Sequence, residues 1–213
     1  MELSAYLPQL LSIATLATIM AISPGADFVM ITRNSLVYGR RAGFYSALGV
    51  GLAIWIHVAY SIAGVALLIA QSVVLFTVIK YIGAAYLIYL GYQSLRAKHH
   101  IALELAQKAA PSKVLSAKTA LRQGFITNAL NPKTTLFFLS IFTQLVSADT
   151  PVAIQLVYGL IISLAHLLWF VLVAMFFSHP AFVHALQRYQ RLIEKTLGVI
   201  LVGLGVRVAT LSQ

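Results

Sequence analysis

The chain is 213 residues long, 60% hydrophobic and only 9% charged, with a formal net charge of +10 and a mean hydropathy of +0.89. Soluble domains carry about 25% charged residues, so this composition excludes a water-covered globule and makes lipid the solvent for most of the outer surface. Cysteine is absent, which removes disulfides, thiol nucleophiles and thiolate metal sites; the positive charge, with no soluble face to carry it, reads as topology signal rather than nucleic-acid binding.

Three stretches hold no Asp, Glu, Lys or Arg: Leu3 to Ala26, Ala42 to Ile79 and Thr150 to Gln187. One crossing takes about 20 apolar residues, so each is long enough and the second is too long for a single span. The pattern predicts an all-α membrane protein with six transmembrane helices, at residues 4–32 (interrupted), 43–69, 74–95, 123–146, 152–177 and 193–211. The first span opens Met1-Glu2 with no basic flank and does not read as a signal peptide. A basic loop 33–42 carries Arg33, Arg40 and Arg41, and a short turn near Gln71-Ser72 follows span two. Lys80 falls inside span three and is expected to snorkel to the outer interface. The long loop 96–122 carries Arg96, Lys98, Lys108, Lys113, Lys118 and Arg122; a short turn at 147–151 and a basic segment 178–192 with Arg188 and Arg191 complete the set. This alternation puts loops one, three and five in the cytoplasm and both termini outside.

The loop 96–122 divides a single membrane domain, 1–213, into halves of about 1–95 and 123–213. The halves resemble each other: Pro24 and Pro132 both interrupt an apolar helix. Gly51-Leu52 followed by His57 matches Gly159-Leu160 followed by His166 with one residue inserted, and Lys80-Tyr81-Ile82-Gly83 matches Lys195-Thr196-Leu197-Gly198. Halves with an odd number of spans must be inverted, the architecture in which a secondary transporter binds its ligand between repeats.

Ser23-Pro24-Gly25-Ala26-Asp27 is the strongest local signal. Proline removes a donor and glycine loosens the backbone, so the helix breaks here. Broken backbone at membrane depth is tolerated only inside protein or beside a wet cavity. Asp27 follows at once in an apolar run, and an intramembrane acid costs about 2.5–3.5 kcal/mol even on lenient scales, which points to an interior, functional position. The alternatives are a cap on the resuming helix or a pair with Arg33. Asn128-Ala129-Leu130-Asn131-Pro132-Lys133 is the second break: residues before proline leave helical geometry, and Asn128, Asn131 and Lys133 offer amides and a cation to a polar ligand. Lys133 could instead snorkel or bridge to Asp27. His57 and His166 are candidate proton relays or hydrogen-bonded packing residues. His99, His100, His179 and His184 lack accompanying carboxylates and make no metal site. Gly83, Gly91, Gly198, Gly203 and Gly205 allow close helix packing and would permit a homodimer; Tyr81, Tyr86, Tyr89 and Tyr92 pack beside the first two or line a substrate. No nucleotide loop, hydrolase elbow, zincin motif or paired carboxylates occur, so no enzyme and no cofactor is expected, and transport would run on an ion gradient or downhill.

Pro24-Gly25-Ala26-Asp27 with Arg33-Asn34-Ser35 and Gly39-Arg40-Arg41-Ala42-Gly43, then Gly83-Ala84-Ala85-Tyr86-Leu87-Ile88-Tyr89-Leu90-Gly91, then Gly124-Phe125-Ile126-Thr127-Asn128 running into Asn131-Pro132-Lys133 and Phe137-Phe138, together resemble the lysine exporter (LysE/RhtB) superfamily. The similarity spans nearly the whole chain apart from the middle loop. The family's usual Pro-Gly-Pro-Asp is Pro-Gly-Ala-Asp here, which softens the kink. The resemblance implies a bacterial inner-membrane exporter of amino acids or close derivatives, coupled to a proton or sodium ion. Asp27 inherits the family's aspartate, and Asn131, Pro132 and Lys133 its second motif. An amino-acid zwitterion would then meet Lys133 and a helix N-terminus with its carboxylate, and Asp27 or free carbonyls with its ammonium. A channel, a non-transporting scaffold and an intramembrane enzyme are the rival readings.

Overall fold

A computed structural model describes residues 3–71, 73–96, 114–147, 149–176, 192, 195–196, 198–203, 205–206 and 209–210. Every regular element among them is helical: a 3-10 turn Leu3–Tyr6, then α1 (Leu7–Ile22), α2 (Ala26–Tyr38), α3 (Arg40–Gln71), α4 (Val73–Arg96), α5 (Ala117–Ala129), α6 (Pro132–Leu145) and α7 (Val152–Phe176). The described residues from 198 to 203 are helical and belong to the last predicted span. The side chain of Lys80, and His99, His100, His179 and His184, lie outside the described residues.

Among the described residues, Arg40–Gly64 and Val152–Phe176 are each long and apolar enough to cross a membrane, and α1 with α2, bent by 55° at the break between them, is long and apolar enough when taken as one broken span. The exposed face of α7 shows what solvent it expects. Val152, Leu156, Leu160, Leu164, Leu168, Leu172 and Phe176 recur every fourth residue and are all exposed. Such a stripe would be an aggregation patch in water; in hydrocarbon it is the proper surface. On α1 the exposed Ser12, Thr15 and Thr18 return their hydroxyls to the carbonyls of Pro8, Leu11 and Ala14, which satisfies these three donors without water.

Helix ends differ from span ends. The basic loop expected at 33–42 shrinks to Gly39, with α2 running through Tyr38 and α3 starting at Arg40. Gly39 holds φ at 85°, the left-handed region where a side chain is strained. Likewise α5 begins at Ala117 rather than 123, capped by Ser116, whose Oγ accepts from Thr119 N at 3.1 Å. Hydropathy marks where lipid stops, whereas a helix continues until its caps or a backbone break end it. The third span is met by α4 within a residue at each end.

α3 is the central element and packs against α5, α7 and α2. Backbones touch between α3 and α5: a Cβ on Gly124 would collide with Ser46 O, and one on Gly49 with Leu121 O. The crossing of α3 and α7 is reciprocal. Gly51 faces Leu167, the residue after His166, while Gly159 faces Val58, the residue after His57. The third matched glycine pair does not repeat this way, since Gly83 lies on Ser140 of α6 and Gly198 on Gly91 of α4.

The core is layered along the helices. One apolar cluster gathers Ile13, Leu16 and Met20 of α1, Ile54 and Val58 of α3, Phe137 to Val146 around α6, and Ile154, Tyr158 and Ile162 of α7. A second gathers Phe28 and Ile31 of α2, Ala47 and Val50 of α3, and Phe170, Val173 and Ala174 of α7. On α1–α2, α3 and α7 alike, the first cluster lies farther from the arginine-bearing α2–α3 turn and the second lies nearer. Between the two layers sit both helix breaks.

Candidate functional site at the meeting of two helix breaks

The first break is made by Ser23, Pro24 and Gly25. Ser23 leaves α1 in extended geometry and Gly25 enters α2 extended. Proline cannot supply the N–H that would continue α1. Gly25 lies close against the other break: a Cβ there would stand 3.3 Å from Lys133 Cδ and 3.4 Å from its Nζ, near enough that the lysine would have to give by a few tenths of an ångström. The second break falls at Leu130-Asn131. Asn131 caps α6, its Oδ1 accepting from Lys133 N at 3.0 Å, and Pro132 fills the first helical position, where its missing N–H costs nothing.

Each break reaches into the other. Asp27, in the first turn of α2, is 6% exposed, and its Oδ2 accepts from Asn128 Nδ2 and Asn131 Nδ2, both at 2.9 Å. Lys133, in the first turn of α6, donates from Nζ to the carbonyls of Ser23 at 2.7 Å and Pro24 at 3.3 Å. These carbonyls are the negative end of α1, and the carboxylate lies at the positive start of α2, so both charges sit where helix dipoles favour them. The side chain of Asp27 does not cap α2, and Arg33 instead lies exposed over the Tyr38 ring at 5.7 Å. Of the alternatives for Lys133, neither the bridge to Asp27 nor snorkelling is seen; the ammonium is taken up by the break carbonyls. Asp27 Oδ1 and Asn128 Oδ1 are buried with no hydrogen-bond partner, an arrangement that leaves acceptors for a cationic group.

A small cavity opens at this junction, lined by Met20, Ser23, Gly25, Asp27, Phe28, Asn131, Lys133, Thr134, His166 and Phe170. It has room for about one water, too little for an amino acid. The two histidines occupy related but unequal places. His57 Nε2 donates to Asn128 O at 3.0 Å, at the second break, and its Nδ1 lies 2.6 Å from Tyr60 Oη. A carbonyl can only accept, so Nε2 carries a proton, and in the neutral ring Nδ1 accepts from the tyrosine. His57 also stacks on Phe138 at 5.3 Å. His166 faces the cavity beside the first break, with Nδ1 donating to Ile162 O of its own helix at 2.9 Å. None of Tyr81, Tyr86, Tyr89 and Tyr92 lines the cavity; three of them are about half exposed, Tyr81 at 50%, Tyr89 at 52% and Tyr92 at 48%.

A second buried polar cluster lies toward the arginine-bearing end. Asn34 is fully buried, and its Nδ2 donates to Ser46 Oγ and Gln123 Oε1, each at 2.9 Å, tying α2, α3 and α5 together. The sequence showed it only as part of the Arg33-Asn34-Ser35 motif, with no role assigned. The available signal was register: Asp27, Ile31, Asn34 and Ser35 lie on one helical face, and all four are buried. No group of three or more His, Cys, Asp or Glu residues able to hold a metal occurs among the described residues.

Residues 18–212 match the family described as LysE type translocator. The uncharacterized membrane protein YrhP of Bacillus subtilis is 38% identical over 213 residues, covering 97% of each chain. A leucine efflux protein of Salmonella choleraesuis is 31% identical with 92% of each chain covered. A threonine efflux protein of Salmonella typhi is 27% identical, over 92% of this chain and 94% of that one. No solved structure matches the chain.

Proposed function

The chain belongs to the LysE type translocators, bacterial membrane proteins among which amino-acid efflux proteins are found, and from that premise we propose that it is a secondary-active exporter of amino acids or close derivatives across the bacterial inner membrane. It crosses the membrane six times as two inverted halves, with both termini outside. The charge pattern supports this orientation: Arg33, Arg40, Arg41, Arg96, Lys118 and Arg122 all lie around the α2–α3 turn, the end of α4 and the start of α5, one side of the membrane if successive spans alternate. The reciprocal packing of Gly51 on Leu167 and Gly159 on Val58 supports a two-fold relation between the halves.

The observation that carries the reading is the exchange between breaks, in which Asp27 is held by the second half and Lys133 by the first. Each charge keeps its hydrogen-bond partners only while the halves are together, so a ligand that competes for these contacts can drive them apart. The substrate ammonium takes Asp27 Oδ1 and the carboxylate takes a free N–H of Lys133. As the cavity must widen to admit an amino acid, the inner and outer apolar layers open in turn, the alternating access expected of inverted repeats. Protonation of Asp27 from outside displaces the ammonium and returns the carrier; a sodium ion on the same oxygens is the alternative coupling.

Inverted vesicles containing the protein test this, since they turn export into accumulation. Labelled leucine and threonine are expected to accumulate only with a proton gradient, and Asp27→Asn, inserted and folded, is expected to abolish the gradient dependence. Flux that neither saturates nor runs uphill would make the protein a channel. Full gradient-driven export by Asp27→Asn would remove the aspartate from the coupling.

A further inference from the structure

We infer that His166 carries the coupling proton to and from Asp27, and that His57, its counterpart in the other half, does not. This rests on the reading above that Asp27 couples export to a proton, and it adds a second proton acceptor to the same site. Hydrogen bonding separates the two histidines. Both ring nitrogens of His57 are engaged: Nε2 donates to Asn128 O at 3.0 Å, and Nδ1 lies 2.6 Å from Tyr60 Oη. A peptide carbonyl accepts that hydrogen bond but passes no proton onward, so His57 is a tether between α3 and the second break. His166 is 2% exposed and is engaged only through Nδ1, which donates to Ile162 O at 2.9 Å. In the neutral ring Nε2 is then an acceptor, and it has no hydrogen-bond partner among the described residues. His166 and Asp27 line the same cavity, and Asp27 Oδ1 is likewise without a partner. An open base and an open carboxylate oxygen around a space for about one water are the parts of a proton exchange. The N–H bond forms at Nε2, and the proton leaves from it through a water to Oδ1.

Charge makes proton and substrate exclusive. The charged or titratable groups that face His166 are Asp27 from α2, His57 from α3 and Lys133 from α6; α1, which also packs on α7, carries none. With His166 neutral, Asp27 and Lys133 balance each other, and a zwitterion keeps that balance. A proton on Nε2 adds a cation beside Lys133, and Asp27 must then answer the imidazolium. An ammonium arriving as well would crowd three cations around one buried carboxylate, an arrangement disfavoured by orders of magnitude. Proton and amino acid therefore take turns at the site, which is what antiport requires. The anchor of the ring suits this task. Nδ1 is bonded to a carbonyl of the ring's own helix, so the ring keeps its orientation when the halves separate, whereas His57 is bonded across to α5 and is not free to do so.

The test uses proteoliposomes and labelled leucine or threonine, whichever the protein accumulates, with two readouts. One is accumulation driven by an imposed pH difference; the other is exchange of labelled for unlabelled substrate without a gradient, which needs no proton step. His166→Gln keeps a polar side chain that cannot take up a proton. It is expected to lose driven accumulation at least about tenfold more than it loses exchange. Substrate leaving down its own gradient is expected to carry protons the other way in the unmodified protein, as a pH-sensitive dye reports, and to carry few in His166→Gln. His57→Gln loosens a tether and is expected to lower accumulation and exchange in step. His166→Asn gives the same readout if the glutamine variant does not insert. Accumulation and exchange falling in step in His166→Gln, with proton movement intact, would make His166 a packing residue and overturn the inference, leaving the coupling at Asp27 standing. If the unmodified protein moves neither substrate, or moves one with no dependence on the pH difference, the reading above fails and this one fails with it.

Discussion

Asp27 is tolerable in the bilayer because two amides from the opposite half point at one of its oxygens. Asn131 has two tasks, one donor to Asp27 and one capping oxygen on α6. Asn131→Ala loses both, and is expected to destabilise the folded protein by about 1–3 kcal/mol, readable as a lowered thermal unfolding midpoint in detergent. Lys133→Met leaves the carbonyls of Ser23 and Pro24 without their donor; a similar loss is expected, about 1–3 kcal/mol, with Lys133→Gln recovering part of it. A midpoint unchanged in Lys133→Met would show that those carbonyls find another partner. The polar members of this site were legible in the sequence because a polar residue stands out in an apolar run. Met20, Phe28 and Phe170 were not, since one apolar residue in an apolar helix looks like any other until packing assigns its face. The link from Lys133 to backbone carbonyls was equally hidden: sequence displays charged partners and conceals carbonyls.

At the scale of elements, the two breaks were readable from Pro24-Gly25 and Asn131-Pro132, because proline acts on the backbone wherever it stands. Helix ends were less readable. α2 continues through Arg33 to Tyr38, and α5 starts in sequence that hydropathy assigns to a loop, because an amphipathic turn at the interface stays helical without being lipophilic. The close contact of α3 with α5 depends on glycines that composition alone marks only as small. Gly124→Leu would drive a side chain into the Ser46 carbonyl, and overpacking of this kind costs about 1–3 kcal/mol or more. It should also strain the Asn34–Ser46–Gln123 cluster, which spans the same contact. The expected outcome is reduced yield and a lowered unfolding midpoint for Gly124→Leu, against a much smaller effect of a leucine at exposed Ile126; equal effects would mean that backbone contact is not what holds α3 to α5.

For the whole molecule, the absence of cysteine is an experimental gift, since single cysteines can be placed without removing any. Val114→Cys, at a residue 95% exposed just before α5, is expected to react with a membrane-impermeant maleimide only from the cytoplasmic side. Asp149→Cys, exposed between α6 and α7, should react only from the outside. Reversed labelling would invert the topology, and labelling of both from one side would remove the crossing by α5 and α6. In the matched segments Gly51 to His57 and Gly159 to His166, each glycine meets the residue after the opposite histidine, whereas nothing in the packing explains the one residue inserted in the second. The failure of Gly83 and Gly198 to correspond shows that sequence likeness over four residues can arise without shared packing.

The small size of the central cavity has an electrical consequence. Apolar layers close it on two sides, and what remains holds about one water, too few for a hydrogen-bonded file along which protons could hop. A translocator at rest in this form would be an insulator set into the membrane, and on the coupling proposed above a cell could carry many copies without short-circuiting the gradient. Proteoliposomes bearing the substrate-free protein are accordingly expected to keep an imposed pH difference as long as protein-free vesicles do, and to begin losing it when substrate is added.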